Sequence, residues 1–258
     1  MNAAIPVVKM NGTHNDFVLV DGRDGAPDDP IAFARRVCDR VTGIGADGLL
    51  LLLPSTTADV RMRIINADGS EAEMCGNGTR CVARYLDEHD GRSIALIETL
   101  AGPIATSVVT REPVYAVSVD LNRPLVGEEH EVAGFHAIPV DLGNPHVVIF
   151  VDDLESVDLA TAGPRIERDP RYPHGTNVHF AQRISAEVVR AVHWERGAGP
   201  TQACGTGAVA VAAAAIVTRG MHSPLAIEVP GGRLGVAWTP GERAVMTGDA
   251  VREFATTA

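Results

Sequence analysis

Lysine is nearly missing from this chain: Lys9 is the only one among 22 basic residues, the rest being arginine. A pyridoxal-phosphate enzyme holds its cofactor as a lysine Schiff base. Lys9 lies in a short segment that reads as a strand, so that cofactor is not expected, and no other is called for. Positive charge as a whole is scarce. Against 33 acidic residues the net charge is −11 and the pI is near 5.2, which speaks against nucleic acid or an anionic membrane as partner. The longest apolar runs, "GLLLLLP" and "AVAVAAAAIV", are too short to cross a bilayer. The opening stretch "MNAAIPVVKMNGTHNDFVLVDG" has no apolar core behind a basic start, so no signal peptide is expected and the protein is placed in the cytoplasm. In that reducing setting the four cysteines, Cys38, Cys75, Cys81 and Cys204, are not expected to form a disulfide framework. Closely paired metal ligands are lacking too, with Cys75 and Cys81 six apart and no HExxH, so no metal site is expected.

What is present is a core-forming composition, 45% hydrophobic over 258 residues, enough for one large domain or two ordinary ones. Short apolar segments such as "DFVLVD", "VRMRIIN", "HVVIFV" and "LAIEVP" alternate with Gly, Pro, Asn and Asp, the pattern of hairpin-rich sheets. Helices are expected over Pro30–Arg40, Asn77–Glu88, around Leu154–Ala162 and over Thr206–Arg219. Regular strand–helix alternation with a dinucleotide fingerprint is absent, which points to an α+β fold with mostly antiparallel sheets. The last helix, "GAVAVAAAAIV", is apolar almost all round and should be buried on every face, as a helix enclosed by a sheet would be.

Two stretches resemble each other. "MCGNGTRCVARYL" and "ACGTGAVAVAAAAI" both run Cys-Gly-x-Gly into a helical segment after an extended one, and Cys75 and Cys204 stand 129 residues apart. The spacing predicts two similar lobes, residues 1–120 carrying Cys75 and residues 121–258 carrying Cys204, with the last strand able to pack back on the first lobe. A cysteine at a helix N-terminus feels the positive end of the helix dipole, which favours thiolate over thiol. The glycines let the backbone approach a ligand, and the N–H groups that follow can bind a carboxylate. Two such motifs acting on one α-carbon could remove a proton from one face and deliver another to the opposite face, inverting a stereocentre. Cys38 and Cys81 lack this setting and read as packing residues.

His146 and Asn144 in "VDLGNPHVVIF" and Glu195 and Arg196 in "HWERGAGP" are candidate helpers, the histidine and carboxylate as proton partners of the two sulfurs. Asn15, Asn66 and Asn177 flank strands, where an amide can hold polar groups of a ligand. His14, His174, His179 and His193 read as surface or structural histidines.

At these residues the sequence resembles the diaminopimelate epimerase family, through "KMNGTHNDFVLVD", "GIGADGLLLL", "NADGSEAEMCGNGTRC", "LGNPHVV", "GTNVHF" and "ERGAGPTQACGTGA". The resemblance implies two lobes, each a curved sheet around a central helix, with the active site in the cleft between them, in a homodimer. It also implies cofactor-independent epimerisation of LL-2,6-diaminopimelate to the meso isomer, a step of lysine and peptidoglycan precursor synthesis, with the small diamino diacid as the partner. By position, Cys75 and Cys204 match the paired acid/base thiols, with His146 and Glu195 as their respective proton partners. Gly76, Asn77, Gly205 and Thr206 match the sites that bind the reacting carboxylate through backbone N–H groups. Asn15, Asn66, Asn144, Asn177 and Arg196 match those that hold the amino groups and the far carboxylate, Arg196 as a bidentate clamp. His14, Gly48, His179 and Pro200 depart from the usual family residues. Three other readings share these residues: a racemase of another amino acid such as proline or histidine, a non-catalytic amino-acid-binding protein, and a thiol-redox protein.

Overall fold

In the computed structural model, which describes residues 4–258, the leucine run "GLLLLL" is a strand buried on both faces. Leu50 and Leu52 pack into one apolar cluster, Leu49 and Leu51 into another on the opposite side. Such a strand must have a helix over each face, and the local sequence supplies both.

The first of two units comprises residues up to Val119 together with Gly248–Ala258. Its chain order is β1 (Pro6–Gly12), β2 (Asn15–Asp21), α1 (Pro30–Cys38), β3 (Gly48–Leu53), β4 (Val60–Asn66), β5 (Glu71–Ala72), α2 (Gly76–Asp90), β6 (Ile94–Thr99), β7 (Gly102–Thr110) and β8 (Ala116–Leu121). Neighbours pair antiparallel except β2 with β3 and β4 with β6. Those two parallel pairs are the ones whose connections contain α1 and α2, as a parallel crossover requires. Phe33, Ala34 and Val37 of α1 cover one face of β3; Cys81, Val82 and Leu86 of α2 cover the other.

The second unit, Asp120–Thr247, repeats this order after two short strands, β9 (Leu125–Val126) and β10 (His130–Val132). It runs β11 (Phe135–Asp141), β12 (Pro145–Phe150), α3 (Leu159–Glu167), β13 (Asn177–Arg183), β14 (Val188–Glu195), β15 (Gly199–Thr201), α4 (Gly205–Arg219), β16 (Leu225–Val229), β17 (Gly232–Ala237) and β18 (Ala244–Asp249). The parallel pairs are again the two that span helices, β12 with β13 and β14 with β16. The 129-residue spacing of the cysteines holds for whole elements: it carries β1 onto β11, α1 onto α3 and the start and end of α2 onto those of α4. Both central helices end on a left-handed glycine, Gly91 and Gly220. A last strand, β19 (Val251–Thr257), returns to the first unit and pairs antiparallel with β1.

The fold is thus the expected α+β class, mostly antiparallel, with strands around a helix in each unit. Boundaries differ in instructive places. Helix α1 stops at Cys38 rather than Arg40, because Asp39 leaves the helical region and turns its carboxylate onto the N–H groups of Val41 and Thr42. Around residue 154 a single 3-10 turn, Leu154–Ser156, comes first, and α3 starts only after Asp158 caps the N–H of Thr161. It then continues past Gly163-Pro164 to Glu167. β5, β9, β10, β15 and β19 carry no readable alternation; β19 is exposed at every residue, so burial imposes no pattern on it.

Candidate active site

Each unit presents a cysteine as the N-cap of its central helix, Cys75 for α2 and Cys204 for α4, both with extended backbone. A helix offers no acceptor for its own first N–H groups, so Gly76 and Asn77 in one unit and Gly205 and Thr206 in the other set amide donors beside a sulfur. No acidic side chain occupies either first turn, so neither helix brings a carboxylate of its own to its positive end.

In the first unit Cys75 Sγ donates to Asn15 Oδ1 at 3.6 Å, and Asn77 Nδ2 donates to the same oxygen at 3.3 Å. Asn15 is held in turn by Asp47, which accepts from its Nδ2 at 2.6 Å. Asn15 follows a tight β1–β2 turn in which Thr13 and His14 both have positive φ, 53° and 60°. That strained turn is braced from outside: Asp249 Oδ1 accepts from Thr13 N at 2.7 Å, and the buried Arg80 donates to Thr13 Oγ1. Asn66 closes β4 and bonds Ser70 through its Nδ2; Gly48 opens β3. Burial pushes the other two thiols out of the reactive range, Cys38 up to about 11 and Cys81 up to about 12. Lys9 is buried in an ion pair with Asp16 and also donates to the Gly45 carbonyl, so its amine is engaged.

In the second unit Cys204 is 5% exposed. Burial, and then the charge of Glu195, push its thiol well above the usual range, so it rests protonated and donates to the Glu195 carboxyl. Gly207 N donates to Sγ at 3.4 Å, and Thr206 Oγ1 lies 3.6 Å away. Burial raises the Glu195 carboxyl as well. Arg196, next in sequence, is anchored by its backbone N–H on Asn177 Oδ1 at 3.0 Å, while Asn177 Nδ2 donates to the Pro145 carbonyl. Its stem lies over Gly175, where a Cβ would come within 3.1 Å of the Arg196 methylenes. The guanidinium borders a cavity of about 370 Å³ lined by Glu167, Tyr172, His174 and Gly197, and Nη1 donates to the His174 carbonyl. Pro200 sits in β15 opposite Trp194.

His146 is 1% exposed, its Nε2 3.0 Å from Asn144 Oδ1. Its Nδ1 lies 2.9 Å from His179 Nε2, and His179 Nδ1 lies 2.8 Å from His193 Nδ1. Burial holds all three rings neutral, His146 down at about 3 and His193 at about 4. This line was not evident from sequence, where His179 and His193 read as surface or structural residues. They are fully buried, with ring-to-ring hydrogen bonds. The signal was available in the 129-residue offset, which carries Phe17, Leu50 and Ile64 onto the three histidines. Among the described residues no cluster of His, Cys, Asp and Glu could hold a metal ion.

A family model described as "Diaminopimelate epimerase" matches residues 7–124 and 138–253. The chain is 42% identical over 271 residues to a diaminopimelate epimerase of Desulfitobacterium hafniense, covering 96% of each chain. It is 44% identical over 264 residues to one of Carboxydothermus hydrogenoformans, covering 94% of this chain and 95% of the other. Among solved structures it is similar in fold to a Bacillus anthracis phenazine biosynthesis protein of the PhzF family (TM-score 0.74, 16% identity, 99% of each chain). It is also similar to a hydroxyproline epimerase from Agrobacterium vitis (TM-score 0.70, 16% identity, 99% of this chain and 92% of that one).

Proposed function

The chain belongs to the diaminopimelate epimerase family, and from that premise we propose that it interconverts LL- and meso-2,6-diaminopimelate, feeding lysine and peptidoglycan precursor synthesis. The observation that carries the reading is the pair of Cys-Gly-x-Gly helix starts, each at the same place in one of two repeated units. One thiolate takes the α-proton of the substrate, forming an S–H bond as the Cα–H bond breaks. The electron pair is delocalised onto the substrate carboxylate, which the first-turn N–H groups of the helices receive. The other thiol then gives its proton to the opposite face of the same carbon. No proton is gained or lost overall; the two sulfurs exchange states, and the reverse reaction uses them in the opposite sense.

Cys204 enters as the acid, since its thiol rests protonated against Glu195; Cys75, once it has given up the proton it directs at Asn15 Oδ1, is then the base in that direction. His146 is assigned to Cys75 as a hydrogen-bond donor: burial keeps the ring neutral and its Nδ1 is engaged with His179, so it offers the sulfur the N–H of Nε2, which rests on Asn144 Oδ1, and takes no proton from it. Arg196, open to a cavity large enough for a side-chain carboxylate, clamps the far end of the diacid, with Asn15, Asn66, Asn144 and Asn177 on its amino groups. The same family reading makes the enzyme a cytoplasmic homodimer, which sedimentation and fractionation test.

The deciding experiment is proton NMR in D2O without added pyridoxal phosphate. LL-diaminopimelate should lose its α-proton signal as the meso isomer forms, while L-proline and L-histidine stay unchanged. Exchange with proline or histidine alone would overturn the substrate, and no exchange with any of the three, from reduced protein, would overturn the enzyme.

A further inference from the structure

We propose that His179 and His193 are positioning residues for His146, joined to it in a buried line of imidazoles that fixes which nitrogen of His146 carries its proton. The importance of His146 rests on the function proposed above; the geometry of the line does not. His179 stands directly opposite His193 in the β13–β14 pairing, and His146 lies one step along β12 on the same face. Neighbouring ring centroids are 5.1 and 4.8 Å apart. The ring of His179 occupies the space that Gly207 leaves at the start of α4, where a Cβ would lie 2.5 Å from His179 Cε1. The middle of the line is therefore seated at the helix start that carries Cys204, and the His146 end lies on Asn144.

The fold does not require polar groups there. The same three positions in the first unit hold Phe17, Leu50 and Ile64, all in one apolar cluster, with Leu50 packed over Gly78 as His179 is over Gly207. Exchanging three apolar side chains for three buried imidazoles costs desolvation that only mutual hydrogen bonds offset. Each neutral imidazole has one N–H and one lone pair, so the bonds can run in only one sense once an end is set. His193 Nε2 is buried without a partner, and an unmet acceptor is the less costly orphan, since orphaned N–H groups are the rarer kind; His193 therefore carries its proton on Nδ1 and donates to His179 Nδ1. His179 then donates through Nε2 to His146 Nδ1, which leaves the His146 proton on Nε2, directed at Asn144 Oδ1. Adding a proton to His146 or His179 would set N–H against N–H at under 3 Å, so those two rings refuse charge, while burial holds His193 neutral.

Long-range 1H–15N spectra of 15N-histidine protein test this directly. Wild type should show Nε2–H tautomers for His146 and His179, an Nδ1–H tautomer for His193, and no imidazolium among them near neutral pH. An Nδ1–H or charged His146 would overturn the proposal. His179→Leu should give His146 a mixed tautomer, because the Asn144 carboxamide can turn to offer Nδ2 in place of Oδ1, and lower kcat on the order of 10–100-fold, the scale of losing the partner that orients a metal-bound histidine, with KM little changed. His179→Gln, whose carboxamide can donate to His146 and accept from His193, should restore both the tautomer and most of kcat. An unaltered His146 signal and kcat in His179→Leu would also overturn it. Should that variant not fold, His193→Val is expected to mix the His179 tautomer, and an unmixed signal there counts against the line. If wild type does not epimerise diaminopimelate, the proposed function fails, while the spectra still decide the fate of the line.

Discussion

Glu195 stands where the first unit has Asn66, nine residues before its cysteine in each case, and that difference makes the two sulfurs unlike. Burial, and then the Glu195 carboxyl beside it, keep Cys204 a thiol, whereas Cys75 faces the carboxamide of Asn15. Glu195→Gln keeps the shape and an accepting oxygen but removes the charge and the capacity to take a proton, so kcat for diaminopimelate should fall about 10²–10⁴-fold, the range for losing a general acid or base partner. The D2O proton assay reads this, and unchanged turnover would remove Glu195 from the proton path. Cys75→Ala and Cys204→Ala should each abolish formation of the inverted product, because each face of the carbon needs its own donor or acceptor. At His14 the strain is backbone strain: a non-glycine residue at φ 60° in a turn that asks for positive φ at two successive positions. His14→Gly should stabilise the protein by about 1 kcal/mol, measured as a shift in urea midpoint at unchanged slope.

At the scale of elements, the three histidine-bearing strands tie stability to acid. In the unfolded chain each imidazole titrates near about 6.5, while in the native protein burial holds His146 to about 3 and His193 to about 4, with His179 also well below. Between those values the unfolded state binds more protons. Stability is therefore full above about pH 6.5 and falls as acid is added, by up to about 1.4 kcal/mol per pH unit for each ring. Urea unfolding at about pH 7, 6 and 5 should show this decline, shallower in His193→Val; a flat profile would mean the rings are solvated in the native protein. Much at this scale was legible beforehand. The Cys-Gly-x-Gly pattern marked both helix starts, and the all-round apolarity of α4 marked a helix enclosed by strands. α3 was harder: Gly163-Pro164 reads as a stop. Yet the missing side chain at Gly163 is what lets the Trp194 ring lie against the helix, within 2.5 Å of where a Cβ would be, and that packing is a tertiary fact. The histidine line stayed hidden for the same reason, since three residues in "NPHVV", "NVHF" and "VHWE" meet only through strand register.

At the scale of the whole molecule, two copies of one element order have been set to different chemistry by a few substitutions at constant spacing. The first unit depends on a segment from beyond the second. Arg80 of α2 donates through Nε to the Asp249 carbonyl at 2.7 Å and through Nη2 to Thr13, while β19 lies along β1. Arg80→Met should lower stability by about 3 kcal/mol, the scale of losing buried charged hydrogen bonds, and denaturant unfolding of the pure variant checks it. The placement of β19 also has a temporal side. On the ribosome, residues 248–258 emerge only after 120–247, so the second unit has its full complement of strands while the first still waits with β1 open along one edge. The part begun first is finished last, and the nascent chain must carry an unpaired strand edge, the kind that invites mispairing, through most of its own synthesis.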